Sequence, residues 1–279
     1  MNIPALPSLD AKSLSAKIPP DMKTMSVTRR HNVVISHAVA ANRVLESLPA
    51  LPPSLVLDTL PIGGQSCAFL QTVLSFNDNF RYTPLPIPNL DFWQLDFGVL
   101  VRRQNSETAT RENGRFIVQS LLGTQAAWVL NRALAGERDF ANFNVILRAA
   151  PNDDYATLIA DIHPTQPEMP PTQIAVRSQN RTTLQAPFVN REKMSDFLLR
   201  RAWTFGALSL GDKFVASKSE GESASFVAAE IAPVGGEIGE MRLGMWEKLG
   251  LLDATQTRAP YDISILPETK IVLQTPMFL

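Results

Sequence analysis

A chain of 279 residues, 45% of them hydrophobic and only 19% charged, is long enough to bury one large core or two closely joined ones. Lysine and arginine number 26 against 27 acidic residues, a balance that excludes wholesale capture of nucleic acid or anionic lipid by net charge alone. Cys67 is the sole cysteine, so no intramolecular disulfide forms, and no apolar run reaches the roughly 18 residues of a membrane-spanning helix. No basic segment followed by an apolar stretch opens the sequence, so a secretory leader is not expected and the predicted home is an intracellular, reducing compartment.

Residues 1–30 carry four prolines, few large apolar side chains and no period, with Lys12, Lys17, Lys23, Arg29 and Arg30 against only Asp10 and Asp21. They read as an extended, flexible arm. Val34, Ala38, Ala41, Leu45 and Leu48 then recur at helical spacing, predicting a helix from His31 to Leu48 that Pro49 stops. His37 lies on that stripe and reads as a core-edge histidine with a hydrogen-bond partner. Leu55–Leu57 and Phe92–Val101 read as strands, and the alternating prolines of 81–88 as a rigid connector.

Ile117, Leu121, Trp128 and Leu122, Val129, Ala133 predict the strongest helix, Phe116 to Ala135, ended by Gly136. A further helical segment is expected through Phe140, Phe143, Val145, Ile146 and Leu147. Strands follow at Tyr155–His163, Gln173–Arg177 and Thr182–Gln185. A third helix starts after Asn190, a favourable N-cap residue. Lys213–Ser217 and Ser225–Ile231 read as strands, Ile238 to Leu252 as a last helix, and Ile263–Leu266 with Lys270–Leu273 as a closing hairpin. With no regular βαβ unit, the expectation is an α+β fold. It consists of a mixed sheet with several amphipathic helices, arranged as one domain over 31–279 behind the arm 1–30.

No phosphate loop, dinucleotide fingerprint, HExxH or cysteine pair is present, and three histidines with one cysteine do not make a structural zinc set, so no metal or cofactor is expected. The segment Gly63-Gly64-Gln65-Ser66-Cys67-Ala68-Phe69-Leu70-Gln71-Thr72-Val73-Leu74 resembles the cysteine box of papain-like peptidases. That resemblance implies a thiol activated at the start of a buried helix, with His163 as the base delivered by the strand Tyr155–His163. Ala68 stands where that family usually has an aromatic residue, and Pro164 follows His163.

Arginine outnumbers lysine 18 to 8. Arg29 and Arg30, Arg102 and Arg103, and Arg200 and Arg201 form pairs suited to bidentate contacts with phosphate or to packed interfaces, and are the candidate nucleic-acid or interface residues. The order of elements is also similar to that of the tailed-phage capsid fold: an arm, an extended region, a long helix near 116–135, then mixed strands and helices. The reading that follows is a non-catalytic, self-assembling structural protein such as a viral or phage coat subunit. Its partners would be its own copies, with RNA or DNA as a further contact and no membrane. A papain-like cysteine peptidase using Cys67 and His163 is the alternative.

Overall fold

The computed structural model describes residues 25–82, 89–103, 113–133, 138–150, 153–178, 184–201, 203–207, 214–220, 227–234, 237–238, 241–273 and 277–278. The chain opens with β1 (Met25–Ala40), α1 (Ala41–Ser47), β2 (Leu55–Leu57), β3 (Thr59–Ile62), β4 (Gln65–Tyr82), β5 (Leu90–Arg103) and β6 (Asn113–Leu122). There follow α2 (Gln125–Ala133), β7 (Asp139–Ala150), β8 (Asp153–Pro164), β9 (Thr172–Ser178), α3 (Arg191–Leu198), β10 (Trp203–Ala207), β11 (Phe214–Glu220) and β12 (Val227–Ile231). The last elements are β13 (Pro233–Val234), β14 (Glu237–Ile238), β15 (Arg242–Leu243), α4 (Gly244–Lys248), α5 (Ala254–Thr257), β16 (Asp262–Leu266), β17 (Thr269–Leu273) and β18 (Met277–Phe278).

Strand dominates, which corrects the expectation of an α+β fold with several amphipathic helices. Four long strands, β1, β4, β5 and β6, pair side by side and form a wall. From this wall the pairing closes on itself twice. One circuit runs from β1 through β16, β12, β9, β8 and β7 back to β6. The other runs from β1 through β17, β11 and β10 to β6, the last step in parallel. Closure leaves the wall with no open edge.

Both faces of the wall are buried, and this explains the helices predicted in error. On one face Leu70, Leu74, Leu95, Phe97, Val99 and Phe116 pack with Leu158, Ile162, Ile174, Ile263, Ile265 and Trp246. On the other, Val34, Phe69, Val73 and Leu100 pack beneath Met194, Leu198 and Leu199, at the end of α3. A strand covered on both sides reads as a continuous apolar run, with the two-residue alternation erased. The helix expected at 31–48 is therefore strand to Ala40 and helix only over α1, and the stretch 116–135 divides into β6 and α2. The predicted helix through 140–147 is β7.

A bulge between Arg30 and Val33 of β1, with His31 at φ 52°, further scrambles the spacing. The closing hairpin is corrected too. β16 and β17 both exist but do not pair with each other; they lie in succession along β1. Of the predicted strand 182–185, residues 182–183 lie outside the described residues and 184–185 are not strand. The predicted arm reaches the described residues at Met25, where β1 begins; 1–24 and the proline run 83–88 lie outside them. The predicted last helix shrinks to α4, followed by Gly250 at φ +65°.

Asn190 caps α3 as its residue type predicts, its side-chain oxygen accepting from Lys193 N at 2.9 Å. Trp246 ties α4 into the main core, donating to Thr72 Oγ1 at 3.0 Å and meeting Phe97 edge-on at 5.5 Å.

His37 is buried at 2% exposure, as a core-edge histidine with a partner. Its Nε2 donates to the Thr257 carbonyl at 3.2 Å, while Nδ1 is buried with no partner among the described residues. Burial pushes its pKa down to about 4 from 6.5, against the smaller upward pull of that bond. A folded pKa below the unfolded one means the unfolded chain binds the extra proton between about pH 6.5 and 4. Stability is complete above that window and falls as pH drops through it, by up to about 3 kcal/mol. Urea titrations at pH 7 and pH 4.5 should show that loss, and His37→Gln, which keeps a donor for Thr257, should reduce it.

Candidate active site

Within the α3-covered face of the wall, apolar residues give way to a seam of polar ones. β5 supplies Gln94 and Asp96 at alternate positions, β4 supplies Asn77 and Ser75, and β6 supplies Ser120 directly opposite Asp96. All five are buried. Gln94 Nε2 donates to both Asp96 oxygens at 2.8 Å, Ser120 Oγ donates to Asp96 Oδ1 at 2.5 Å, and Asn77 Nδ2 donates to Gln94 Oε1 at 3.0 Å. Each side chain fixes the next, so the carboxylate is held in one orientation before any ligand arrives.

Two guanidiniums lie at this seam. Arg29, on β1 opposite Asn77, is half-buried, and its Nε is shielded from solvent with no hydrogen-bond partner among the described residues. Arg138, just ahead of β7, reaches Gln94 Oε1 with Nη1 at 3.4 Å. Burial holds the Arg138 pKa below its ordinary value and nearby Arg29 adds to this, while Asp96 pulls the other way. Arg138 thus lies within electrostatic reach of one carboxylate, Asp96, and of a second cation, Arg29.

Along the same face, Gln71 Oε1 accepts from Arg115 Nε at 2.8 Å while Gln71 Nε2 donates to the Leu198 carbonyl at 2.8 Å and to Ser36 Oγ at 3.1 Å. Arg115 lies over Gly98. A Cβ at that glycine would sit 2.7 Å from Arg115 Cγ and 2.9 Å from the Phe116 carbonyl, so only glycine leaves room for the side chain. Lys193, Lys248 and Lys270, the lysines whose side chains are described, are all exposed. Among the described residues no group of three or more His, Cys, Asp or Glu side chains could hold a metal ion.

The residues singled out from the sequence scatter. Cys67 is not at a helix start but within β4, opposite Leu60 and Ala40, and is buried. Burial raises its thiol pKa, partly offset by a backbone hydrogen bond from the Ile62 segment. His163, on β8, points outward at 58% side-chain exposure and pairs with Asp161 at 3.1 Å. Three strands, β5, β6 and β7, lie between Cys67 and His163 in the sheet, so they form no dyad, and the peptidase reading is withdrawn. Alkylation of native Cys67 at pH 7 by iodoacetamide should be at least tenfold slower than in the urea-unfolded chain.

Of the six arginines, Arg29 belongs to the seam. Arg30 is exposed and paired with Asp78 at 3.1 Å and Glu268 at 3.0 Å. Arg102 is exposed at the end of β5 and Arg103 half-buried beside it. Arg200 pairs with Asp196 at 2.7 Å, and Arg201 is buried against Asp58. They form no common patch from a single element.

No protein-family model and no curated protein matches the chain. Solved structures do. Acetoacetate decarboxylase from Legionella pneumophila aligns over all of this chain and 98% of its own, with a TM-score of 0.59 at 12% identity. An acetoacetate decarboxylase-like enzyme from Sphingomonas wittichii aligns over 94% of this chain and 97% of its own, with a TM-score of 0.52 at 8% identity. The enduracididine biosynthesis enzyme MppR, complexed with pyruvate, aligns over 95% and 92%, with a TM-score of 0.50 at 11% identity. The chain has the acetoacetate decarboxylase-like fold.

That fold overturns the reading as a viral or phage coat subunit, because the element order behind it rested on helices that are strands. Among the described residues no helix is long and apolar enough to cross a membrane.

Proposed function

We propose that the chain is an enzyme acting on a small oxo acid, bound by its carboxylate in the seam between Arg29 and Arg138. The observation that carries this is the buried Arg29 Nε, without a partner among the described residues, in a seam where Arg138 lies near both Arg29 and the carboxylate of Asp96. A buried cation of that kind is satisfied by an anionic ligand, and a guanidinium suits a carboxylate by two parallel bonds. The fold adds support, since its solved examples include enzymes named for acetoacetate decarboxylation and one complexed with pyruvate.

The chemistry follows from the residues that line the seam. Imine formation with a carbonyl substrate needs an amine, and none of the three lysines whose side chains are described stands in the seam. The route proposed here uses the charged groups that do stand in it. With the substrate carboxylate on Arg29, Asp96 accepts a proton from the carbon beside the carbonyl. The C–H electron pair moves onto the carbonyl oxygen, and the enolate so formed is stabilised by the Arg138 guanidinium.

Proton NMR in D2O tests this. Pyruvate incubated with the enzyme should lose its methyl signal by deuterium exchange faster than in buffer, and Arg138→Gln should slow the exchange by about tenfold or more. Pyruvate binding without exchange would instead identify a non-catalytic acid-binding protein.

A further inference from the structure

A second buried guanidinium, Arg201, is not accounted for by the seam. It follows α3 directly and is 2% exposed. Its Nη1 donates to Asp58 Oδ2 at 2.6 Å, and its guanidinium carbon lies 4.7 Å above the centre of the Phe197 ring. Its Nε and Nη2 are both buried with no partner among the described residues. These two nitrogens form the lateral edge of the guanidinium, the edge whose parallel N–H bonds fit both oxygens of one carboxylate.

The position is fixed rather than incidental. Asp58 is anchored by its own N–H to the Leu100 carbonyl at 2.9 Å, and Arg201 N donates to the Leu199 carbonyl at 2.9 Å. The aromatic face beneath the guanidinium leaves its edge directed in plane. Burial also holds the Arg201 pKa below its ordinary value in spite of Asp58, so that one carboxylate undercompensates the charge. Two orphaned charged donors on one edge are an unusual burden for a folded chain, since each is expensive to strand away from water.

We infer that the Nε–Nη2 edge of Arg201 binds the carboxylate of a small organic acid, at a site separate from the seam and independent of the function proposed for it. A carboxylate satisfies both donors at once and completes the compensation that Asp58 begins.

Thermal unfolding at constant ionic strength, with acetate, acetamide or sulfate as probe, tests the inference together with crystals grown in acetate. Acetate near 100 times its dissociation constant should raise Tm by about 5–10 °C, with acetamide inert and sulfate weaker. The rise should persist in part in Arg29→Gln, which disables the seam, and vanish when Arg201→Lys, whose ammonium lacks the fork, is added to that variant. If Arg201→Lys does not fold, the wild-type crystals decide: a planar acetate on Nε and Nη2 supports the site. A water alone on that edge, or equal shifts with acetate and acetamide, overturns it.

Discussion

Replacing Asp58 with alanine is expected to lower the unfolding free energy by about 3–5 kcal/mol. The side chain of Arg201 is 1% exposed, and among the described residues Asp58 is its hydrogen-bonding partner. Without Asp58 the guanidinium keeps its burial and loses its counter-charge, and the remaining Phe197 contact is worth about 2 kcal/mol. Removing both partners, as in Asp58→Ala combined with Arg201→Met, should recover most of the loss, since no charge is then stranded. Urea denaturation with an unchanged m-value would assign the effect to the native state. A single-mutant loss under 1 kcal/mol would mean that Arg201 is stabilised by something other than Asp58.

The second large effect concerns Asp96. Asp96→Asn should reduce deuterium exchange into pyruvate by about a hundredfold or more, the usual contribution of a positioned base. It should at the same time leave carboxylate binding intact or tighter, because the substitution removes the negative charge that acts on Arg138. This split between turnover and affinity separates a proton-transferring role from a structural one. A variant that lost binding and turnover together would place Asp96 among the residues that merely hold the seam in shape.

Much of the strand content could be read from the sequence where one face meets solvent or a turn intervenes. Tyr155–His163, Gln173–Arg177 and Ile263–Leu266 fall within β8, β9 and β16, and Asn190 starts its helix as its residue type predicts. The wall could not be read in the same way. In β4 the residues from Cys67 to Leu74 are all buried, whichever face they point to, and the stretch matches a buried helix as well as a strand. Closure was also illegible, because β16 and β17 look like partners of each other while the long β1 takes both.

The seam suffered most. Arg29, Asn77, Gln94, Asp96, Ser120 and Arg138 come from five stretches of chain, no more than two from any one, and only Arg29 stood out beforehand. A signal was present nonetheless. Gln94 and Asp96 interrupt the apolar run Phe92–Val101 at alternate positions, and Ser75 and Asn77 do the same within β4. Polar residues at i and i+2 in a strand otherwise suited to burial imply a hydrogen-bonded site inside the sheet.

The most direct measurement is calorimetric titration of the protein with pyruvate, for the wild type and for Arg29→Gln. A guanidinium that donates charged hydrogen bonds to a carboxylate contributes about 1.5–3 kcal/mol, so Arg29→Gln should weaken binding between roughly tenfold and a hundredfold. Equal affinity in the two proteins, or no binding of pyruvate to the wild type, would contradict a carboxylate site in the seam.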